Sequence, residues 1–222
     1  MVKAKNKLLS AKEIDEIFAI FAHHNPEPKI ELNYVNNFTL LIAVLLSAQA
    51  TDKMVNICTE ELFANYSSPH AFLLLGYDGI VSYIKKIGLY RNKAKNIIKT
   101  CHILINQHNG IVPNNFDDLV ALPGVGRKTA DVVLNTGFGQ SSVAVDRHIF
   151  RIVHRIGITD APNVDKVADD LLKIVDKKWL KYCHHWLVLH GRYVCKARKP
   201  NCDNCIIKNK CKLYQSLTNL SL

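Results

Sequence analysis

Four cysteines close to the C-terminus constrain the fold of this chain more than any other feature. Six, two and five residues separate Cys195, Cys202, Cys205 and Cys211, so four thiols fall within seventeen residues. Thiolates this close in sequence can reach one metal centre without closing a long loop. The spacing matches neither the usual zinc pairs nor the common ferredoxin patterns. Four thiolates favour an iron–sulfur cluster over zinc, but chemistry alone leaves both open.

The charge balance favours a polyanionic partner. The 222 residues carry a formal net charge of +10 and a pI near 9.2. Such an excess indicates nucleic acid first and an acidic membrane surface second, although basic residues can also serve solubility alone. Between Arg192 and Lys212 there are seven Lys or Arg residues and one carboxylate, Asp203. That segment can balance an anionic cluster and can also contact DNA phosphates.

The chain has no stretch that predicts a membrane span. The longest apolar run, Phe38–Ala48, has about half the length that a bilayer requires, and it reads as a buried helix. The first seven residues lack a signal-peptide pattern, so we expect a cytoplasmic protein, associated with the nucleoid if it binds DNA. In such a protein a disulfide framework is not expected. Cys58, Cys101 and Cys183 are therefore predicted to be ordinary buried thiols.

The hydrophobic periodicity predicts an all-α fold. Ser10 and Glu13 match a capping box at the start of the first helix, which Pro26 ends. The pattern then gives helices over Phe38–Ala50, Asp52–Ala64, Ser68–Leu75, Asp78–Ile87, Asn92–His108, Phe116–Ala121, Asn163–Val175 and Lys178–His190, with two more beginning near Gly126 and at Asp146. The short apolar segment Ser141–Val145 is too short to assign, and the polar tail after Tyr214 is expected to fray.

The segment Leu122–Ala130 has the pattern of a glycine turn between two helices. Pro123 ends the preceding helix, and Gly124 and Gly126 allow backbone angles and close approaches that a side chain would block. The next helix then starts with amides that lack internal partners, and these can bind a phosphate oxygen without reading a base. A turn without a ligand is the simpler alternative. With Arg127 and the basic composition, the pattern favours a helix-hairpin-helix that binds the DNA backbone.

Two residues near this turn can carry chemistry. Lys128 falls in the first turn of the new helix, where the dipole opposes a cation and favours the neutral amine that attack on a sugar C1′ needs. Asp146 precedes the next apolar-periodic helix, so it is predicted to be an N-cap. A capping carboxylate in a cleft could also stabilise positive charge on a sugar ring. Most surface lysines are simply solvated, and sequence separation does not show whether the two residues meet.

Taken together, these motifs resemble the bacterial endonuclease III family of DNA glycosylases. The resemblance runs from about Ile14 to Cys211 and includes Leu46–Asp52, Gly88–Tyr90, Leu122–Ala130, Val145–Asp146 and the four cysteines. It implies an all-helical glycosylase fold in two parts flanking a DNA cleft. A six-helix barrel domain with the helix-hairpin-helix would span residues 29–140. Residues 1–28 and 141–222 would form a discontinuous domain that binds a [4Fe–4S] cluster.

The resemblance also implies an activity and its residues. The family removes oxidised pyrimidines from double-stranded DNA and then cuts the strand at the abasic site. By position, Lys128 matches the nucleophile and Asp146 the catalytic carboxylate, while Gln49 and Leu89 match residues that fill the gap left by the extruded nucleotide. Gly124, Val125, Gly126 and Arg127 match the hairpin that contacts DNA, and Cys195, Cys202, Cys205 and Cys211 match the cluster ligands. A monomer is expected.

The chain departs from close relatives at two positions, and two alternatives stay open. Asp131 stands where asparagine is common and could pair with Lys128, and Arg147 stands where threonine is frequent. One alternative is a monofunctional glycosylase for mismatched bases, a class that generally lacks the lysine. The other is a DNA-binding or redox-sensing iron–sulfur module without enzymatic activity, in which Lys128 and Asp146 would have no catalytic role.

Overall fold

A computed structural model describes residues 8–219, and all regular secondary structure in this range is helical. The described α-helices are α1 Ala11–His24, α2 Asn37–Ser47, α3 Asp52–Asn65, α4 Pro69–Ile84, α5 Tyr90–His108, α6 Phe116–Ala121, α7 Arg127–Phe138, α8 Arg147–Ile156, α9 Val164–Ile174, α10 Lys177–Tyr193 and α11 Lys212–Asn219, with a 3-10 turn over Lys208–Lys210. The predicted all-α class is confirmed. Within residues 8–219, no helix combines the length and apolar character that a membrane span needs.

Side-chain caps explain where most of these helices begin. The capping box of Ser10 and Glu13 is present at the start of α1, as predicted. Asn36 and Thr39 form a second one at α2, which the sequence reading missed. Each cap supplies acceptors to amides that have no partner inside the helix. α6 likewise starts at the predicted Phe116, where Asn115 caps it, and α8 starts directly after Asp146, its predicted cap.

The chain divides into two compact units, one of which is the continuous segment Ile30–Gln140. Its centre is α2, in which all residues from Phe38 to Leu46 are buried. α3, α5 and α7 pack around this helix. An apolar helix enclosed on all sides needs no polar face, which explains the uninterrupted apolar run in the sequence.

The other unit combines the chain up to Lys29 with the chain from Ser141 onward. Ile14, Ile17, Phe18 and Phe21 of α1 form one apolar face of its core. Trp186 of α10 packs against Phe18 with the ring centroids 6.2 Å apart, and its indole N–H donates to the carbonyl of Asn25 at 2.8 Å. These contacts hold α1 in the same unit as helices that follow it by more than a hundred residues.

Several predicted boundaries were wrong for identifiable reasons. α2 ends at Ser47 rather than Ala50, because Ala48 leaves the helical backbone with ψ 115° and Gln49 is left-handed. α4 contains the two helices predicted on either side of Gly76, which interrupts the helical backbone with φ 70° and ψ 175°; the second of them ends at Ile84 rather than Ile87. The tail after Tyr214, which was expected to fray, is helical to Asn219, and residues 220–222 lie outside the described residues. The segment 141–145 forms no strand; its Val143, Ala144 and Val145 are buried as irregular chain.

Candidate DNA interface, catalytic residues and cysteine loop

The glycine turn between α6 and α7 has the predicted form, but its two glycines serve different purposes. Leu122 is extended, as expected before proline. Gly124 has φ +82°, and a Cβ there would lie 2.7 Å from the Asn96 side-chain nitrogen. Gly126 has an ordinary φ of −97°, and a Cβ there would meet no atom within 4 Å. Of these two positions, the fold therefore requires glycine only at 124. At Gly126 neither the backbone angle nor a neighbouring protein atom excludes a side chain.

The start of α7 has the properties of an anion site. Gly126 is the N-cap, and no side chain accepts a hydrogen bond there. The turn is held from behind, since the Thr100 hydroxyl donates to the Pro123 carbonyl at 3.3 Å. Val125 is buried, and its amide donates to the Leu122 carbonyl at 3.1 Å. Val125 therefore anchors the turn, while its contact with DNA remains a prediction.

The two cationic residues that follow have different surroundings. Lys128 is exposed in the first turn of α7. Arg127 lies with its Nε 3.8 Å from a carboxylate oxygen of Asp131, which is buried. The pairing of Asp131 with Lys128 suggested by the sequence is therefore not what the structure shows: the carboxylate is directed to Arg127, one helical turn away.

Gln49 and Leu89 share a rare backbone conformation and lie on adjacent loops of the 30–140 unit. Both are exposed, Leu89 to 59%, and both have left-handed φ angles, 57° and 60°. A Cβ built on Gly88 would be 3.7 Å from the Gln49 carbonyl oxygen, so the two loops touch. Leu89 is therefore not a core residue. Left-handed non-glycine residues store strain and are often found at functional sites.

Asp146 caps α8, as predicted. One carboxylate oxygen, Oδ1, accepts from the amides of His148 and Ile149 at 2.8 and 2.9 Å. The other oxygen has no hydrogen-bond partner among the described residues. Arg147 is exposed, and its Nε donates to the His148 ring at 3.4 Å. Burial lowers the pKa of His148, with Asp146 acting in the opposite direction. Lys128 belongs to the 30–140 unit and Asp146 to the other.

The four clustered cysteines line one cavity in the unit that contains Asp146. The apolar wall of this cavity includes Ile152, Ile156 and Ile207. In the described part of the chain, no three His, Cys, Asp or Glu side chains converge as tightly as a single metal ion requires. Burial raises the pKa of the Cys205 thiol to about 11, so this thiol is protonated at neutral pH unless a metal replaces the proton.

Polar groups around the cavity are directed to the cysteine loop. The His190 Nε2 lies 3.4 Å from Cys205 Sγ, and an Arg155 nitrogen lies 3.5 Å from Cys195 Sγ. Arg155 also donates to the carbonyls of Lys196 and Ala197 at 2.7 and 3.0 Å. Donors of this kind suit an anionic thiolate cluster, because they offset its charge and fix the ligand loop. The donor set and its surroundings therefore fit an iron–sulfur cluster.

The sequence reading missed the residues that support these sites. Lys93 is 6% exposed on the buried face of α5, and no role was predicted for it from the sequence. The signal was available, because Lys93 shares a helical stripe with Ala94, Ile97 and Cys101, all fully buried. Arg151 and Arg155 are spaced four apart on α8, so both fall on one face of that helix.

Comparison with known proteins identifies the family. Residues 42–177 match the HhH-GPD superfamily base excision DNA repair protein model. Endonuclease III of Rickettsia conorii is 54% identical over 94% of this chain and 100% of the relative, and that of Escherichia coli K12 is 55% identical over 91% and 96%. Among solved structures, a trapped endonuclease III–DNA covalent intermediate has a TM-score of 0.86 at 41% identity, covering 95% of this chain and 100% of that one.

A non-covalent endonuclease III–DNA complex is equally similar, with a TM-score of 0.87 at 41% identity over 96% of this chain and 100% of that chain. A thermostable thymine-DNA glycosylase, with a TM-score of 0.82 at 22% identity over 92% and 98%, shares the fold. These matches decide against a non-enzymatic module. The chain belongs to the endonuclease III family of helix-hairpin-helix base excision DNA repair enzymes, and it is a DNA glycosylase and apurinic/apyrimidinic lyase.

Proposed function

We propose that this enzyme removes oxidised pyrimidines from double-stranded DNA and cuts the strand through an imine between Lys128 and deoxyribose. The observation that carries the proposal is the position of Lys128: an exposed primary amine in the first turn of α7, two residues after an N-cap without a side-chain acceptor. A phosphate bound by the amides at the start of α7 would bring a sugar of the same strand close to the amine. A similar protein has been trapped in a covalent intermediate with DNA.

Gly126 supports phosphate binding at this turn. Neither its φ angle nor a neighbouring atom calls for glycine. Space left open at the N-terminus of a helix allows a ligand to approach the backbone closely. Arg127 adds positive charge beside it, balanced in part by Asp131. The contact is with the DNA backbone, so it carries no sequence preference.

Gln49 and Leu89 are proposed to fill the gap left when the damaged nucleotide turns out of the helix. A base inside a duplex shields its glycosidic carbon, so the nucleotide must leave the stack before reaction. An exposed leucine is costly in water, but it can wedge between stacked bases. Lesions that weaken pairing or stacking lower the cost of extrusion, and this supplies part of the selectivity.

The Lys128 amine would then attack C1′ as the base leaves, and ring opening would give an imine. In its protonated form the imine withdraws electrons, so a C2′ proton can be lost and the 3′ phosphate eliminated, which breaks the strand. Asp146, with one carboxylate oxygen left after capping α8, would stabilise the cationic sugar and assist proton transfer.

Cys195, Cys202, Cys205 and Cys211 are proposed to hold a [4Fe–4S] cluster. The cluster would supply stability to the loop rather than a reacting atom, and the basic residues around it would contribute to DNA binding. Elemental analysis of protein purified without oxygen should give iron and little zinc. We further propose that the enzyme acts as a monomer at the nucleoid.

Borohydride trapping tests the mechanism, because it reduces an enzyme–DNA imine to a stable crosslink. Native protein mixed with abasic duplex and borohydride should form a crosslink, and Lys128→Gln should form none. Lys166→Gln removes an exposed lysine charge on α9 and serves as the matched control, which should crosslink like the native protein. Native protein that nicks abasic DNA without ever being crosslinked would overturn the imine mechanism. A panel of duplexes with single oxidised or mismatched bases then separates the proposed substrates from those of a mismatch glycosylase.

A further inference from the structure

Lys93 connects the two loops that carry Gln49 and Leu89. Its ammonium group is buried and donates to the carbonyls of Leu46 and Ala48 at 3.0 and 2.6 Å. Its backbone amide donates to the Leu89 carbonyl at 3.1 Å. One residue therefore holds the carbonyl that precedes Gln49 and the carbonyl of Leu89 itself, although the two loops are forty residues apart in sequence.

The end of α2 shows what the ammonium group contributes there. Donors within the same turn serve three of its last carbonyls, those of Val44, Leu45 and Ser47. The carbonyls of Leu46 and Ala48 accept from Lys93 instead. A cation is favourable at this position, because the carbonyl end of a helix carries partial negative charge. Burying an ammonium group is otherwise expensive, and desolvation lowers the pKa of Lys93. The ammonium group of Lys93 can therefore stay buried only because both carbonyls accept hydrogen bonds from it.

Gln49 follows directly on this buried contact. Its neighbour Ala48 is held by Lys93, and the amide of Ala50 donates to the Ser47 carbonyl at 3.1 Å. With both flanking residues fixed, Gln49 is kept in its left-handed conformation. Leu89 is the left-handed N-cap of α5 and has no side-chain cap, so the amide of Lys93 is its first link to the helix.

We propose that Lys93 is a positioning residue that sets the spacing between Gln49 and Leu89, so that both can enter the DNA stack together. The inference rests on the proposed roles of these two residues. Lys93 does not itself take part in chemistry, because its nitrogen is directed at backbone carbonyls inside the unit. Its loss should therefore impair the extrusion of a base from duplex DNA and spare the reaction at a sugar that needs no extrusion.

The test compares Lys93→Met with native protein on two substrates, a duplex carrying one thymine glycol and a single-stranded oligonucleotide carrying one abasic site. Excision from the duplex should fall by about tenfold or more, while borohydride crosslinking to the single strand should stay within about twofold. A 2-aminopurine placed beside the lesion should show slower unstacking. Lys99→Met, on an exposed face of α5, controls for the loss of one positive charge and should match the native protein on both substrates.

Removing the ammonium leaves two carbonyls without a donor, so the stability of Lys93→Met must be measured by thermal unfolding. Lys93→Arg keeps a cation and N–H donors, and it should recover most of the duplex activity. If Lys93→Met does not fold, the same ratio of duplex to single-strand activity is measured for Lys93→Gln, whose shorter, neutral side chain cannot reproduce the two hydrogen bonds of the ammonium group. A ratio below the native value supports the proposal, and a native ratio overturns it. An equal loss on both substrates, or no loss on the duplex, would also overturn it. Native protein that fails to crosslink either substrate would instead contradict the function of Lys128.

Discussion

Arg151 and Cys195 are joined by two hydrogen bonds, in which Nε and Nη2 of the arginine donate to the cysteine carbonyl oxygen at 3.2 and 3.0 Å. The same guanidinium donates to the Gly191 carbonyl at 2.6 Å, so it ties the end of α10 to the start of the cysteine loop. Arg151 lies on α8, the helix that Asp146 caps. The proposed catalytic carboxylate and the proposed cluster ligands are thus attached to one short helix.

Replacing Arg151 should loosen the cysteine loop. In Arg151→Met the Cys195 and Gly191 carbonyls lose a charged donor, and a hydrogen bond to a charged group contributes about 1.5–3 kcal/mol. We expect less iron per protein chain and faster bleaching of the visible absorbance in air. Arg198→Met removes an exposed charge of the same loop and should retain iron as the native protein does. Equal iron content in both variants would show that the Arg151 contacts do not support the loop.

Asp146 should have separable structural and catalytic roles. Asparagine is also a good N-cap, so Asp146→Asn should unfold within about 0.5 kcal/mol of the native protein, whereas Asp146→Ala should lose about 1 kcal/mol. Both variants lack the carboxylate charge, so both should release the damaged base at least about tenfold more slowly in single-turnover experiments. If Asp146→Asn releases the damaged base at the native rate and its urea unfolding is unchanged, Asp146 only caps α8 and has no catalytic role.

Leu89→Gly should lower the excision activity of the enzyme without lowering its stability. Glycine tolerates the φ of 60°, which relieves roughly 1–2 kcal/mol of left-handed strain against about 0.5–1 kcal/mol of added chain entropy. The thermal midpoint should therefore rise or stay constant while excision from duplex DNA falls. Asn109→Gly, at a second exposed left-handed position with φ 52°, should gain stability without losing activity. If Leu89→Gly excises the damaged base from duplex DNA as fast as the native protein, Leu89 does not act as a wedge between stacked bases.

The two glycines of the hairpin should respond to alanine in opposite ways. Gly124→Ala forces a Cβ into a position with φ +82° and a contact of 2.7 Å to Asn96, so it should destabilise the protein by about 1–3 kcal/mol. Gly126→Ala meets no internal atom and should lower stability by no more than about 1 kcal/mol. It should nevertheless weaken binding to undamaged duplex, measured by fluorescence anisotropy. Unaltered affinity would argue against a phosphate at this turn.

His185 should make the enzyme sensitive to acid. It is buried with no hydrogen-bond partner for either ring nitrogen among residues 8–219, and burial lowers its pKa from 6.5 to about 4. Between these values the unfolded chain binds more protons than the folded one, so stability falls as the pH drops from about 6.5 to about 4, by up to about 3 kcal/mol. The stability contributed by the neutral His185 side chain is fully present above pH 6.5.

Urea unfolding at a series of pH values measures this dependence. His185→Phe keeps an aromatic ring in the same space and should make the acid limb of the stability curve shallower. Part of the limb should remain, because burial also lowers the pKa of His190 to about 4. His102→Gln, at an exposed histidine of α5, should leave the curve as it is in the native protein. A His185→Phe curve that follows the native one between pH 4 and 6.5 would show that another group is responsible.

Much of the local structure of this protein could be predicted from its sequence. The capping box at Ser10, the cap at Asp146 and the extended residue before Pro123 all depend on neighbours within a few positions, and each has the predicted form. The apolar run after Phe38 is a helix buried on all sides. The motif set also identified the family correctly. Caps could be predicted because they depend on residues within a few positions, and the helix after Phe38 because an uninterrupted apolar run has no polar face to expose.

Contacts between distant segments decided the rest. The exposure of Leu89 and its left-handed backbone depend on the loop of Gln49, and the burial of Lys93 depends on the carbonyls at the end of α2. Residue type records only an average preference. The pattern therefore gave no role to Lys93, and only the family resemblance singled out Leu89. Which groups meet across forty residues, and whether a charge finds enough acceptors to remain buried, is settled only when the helices pack.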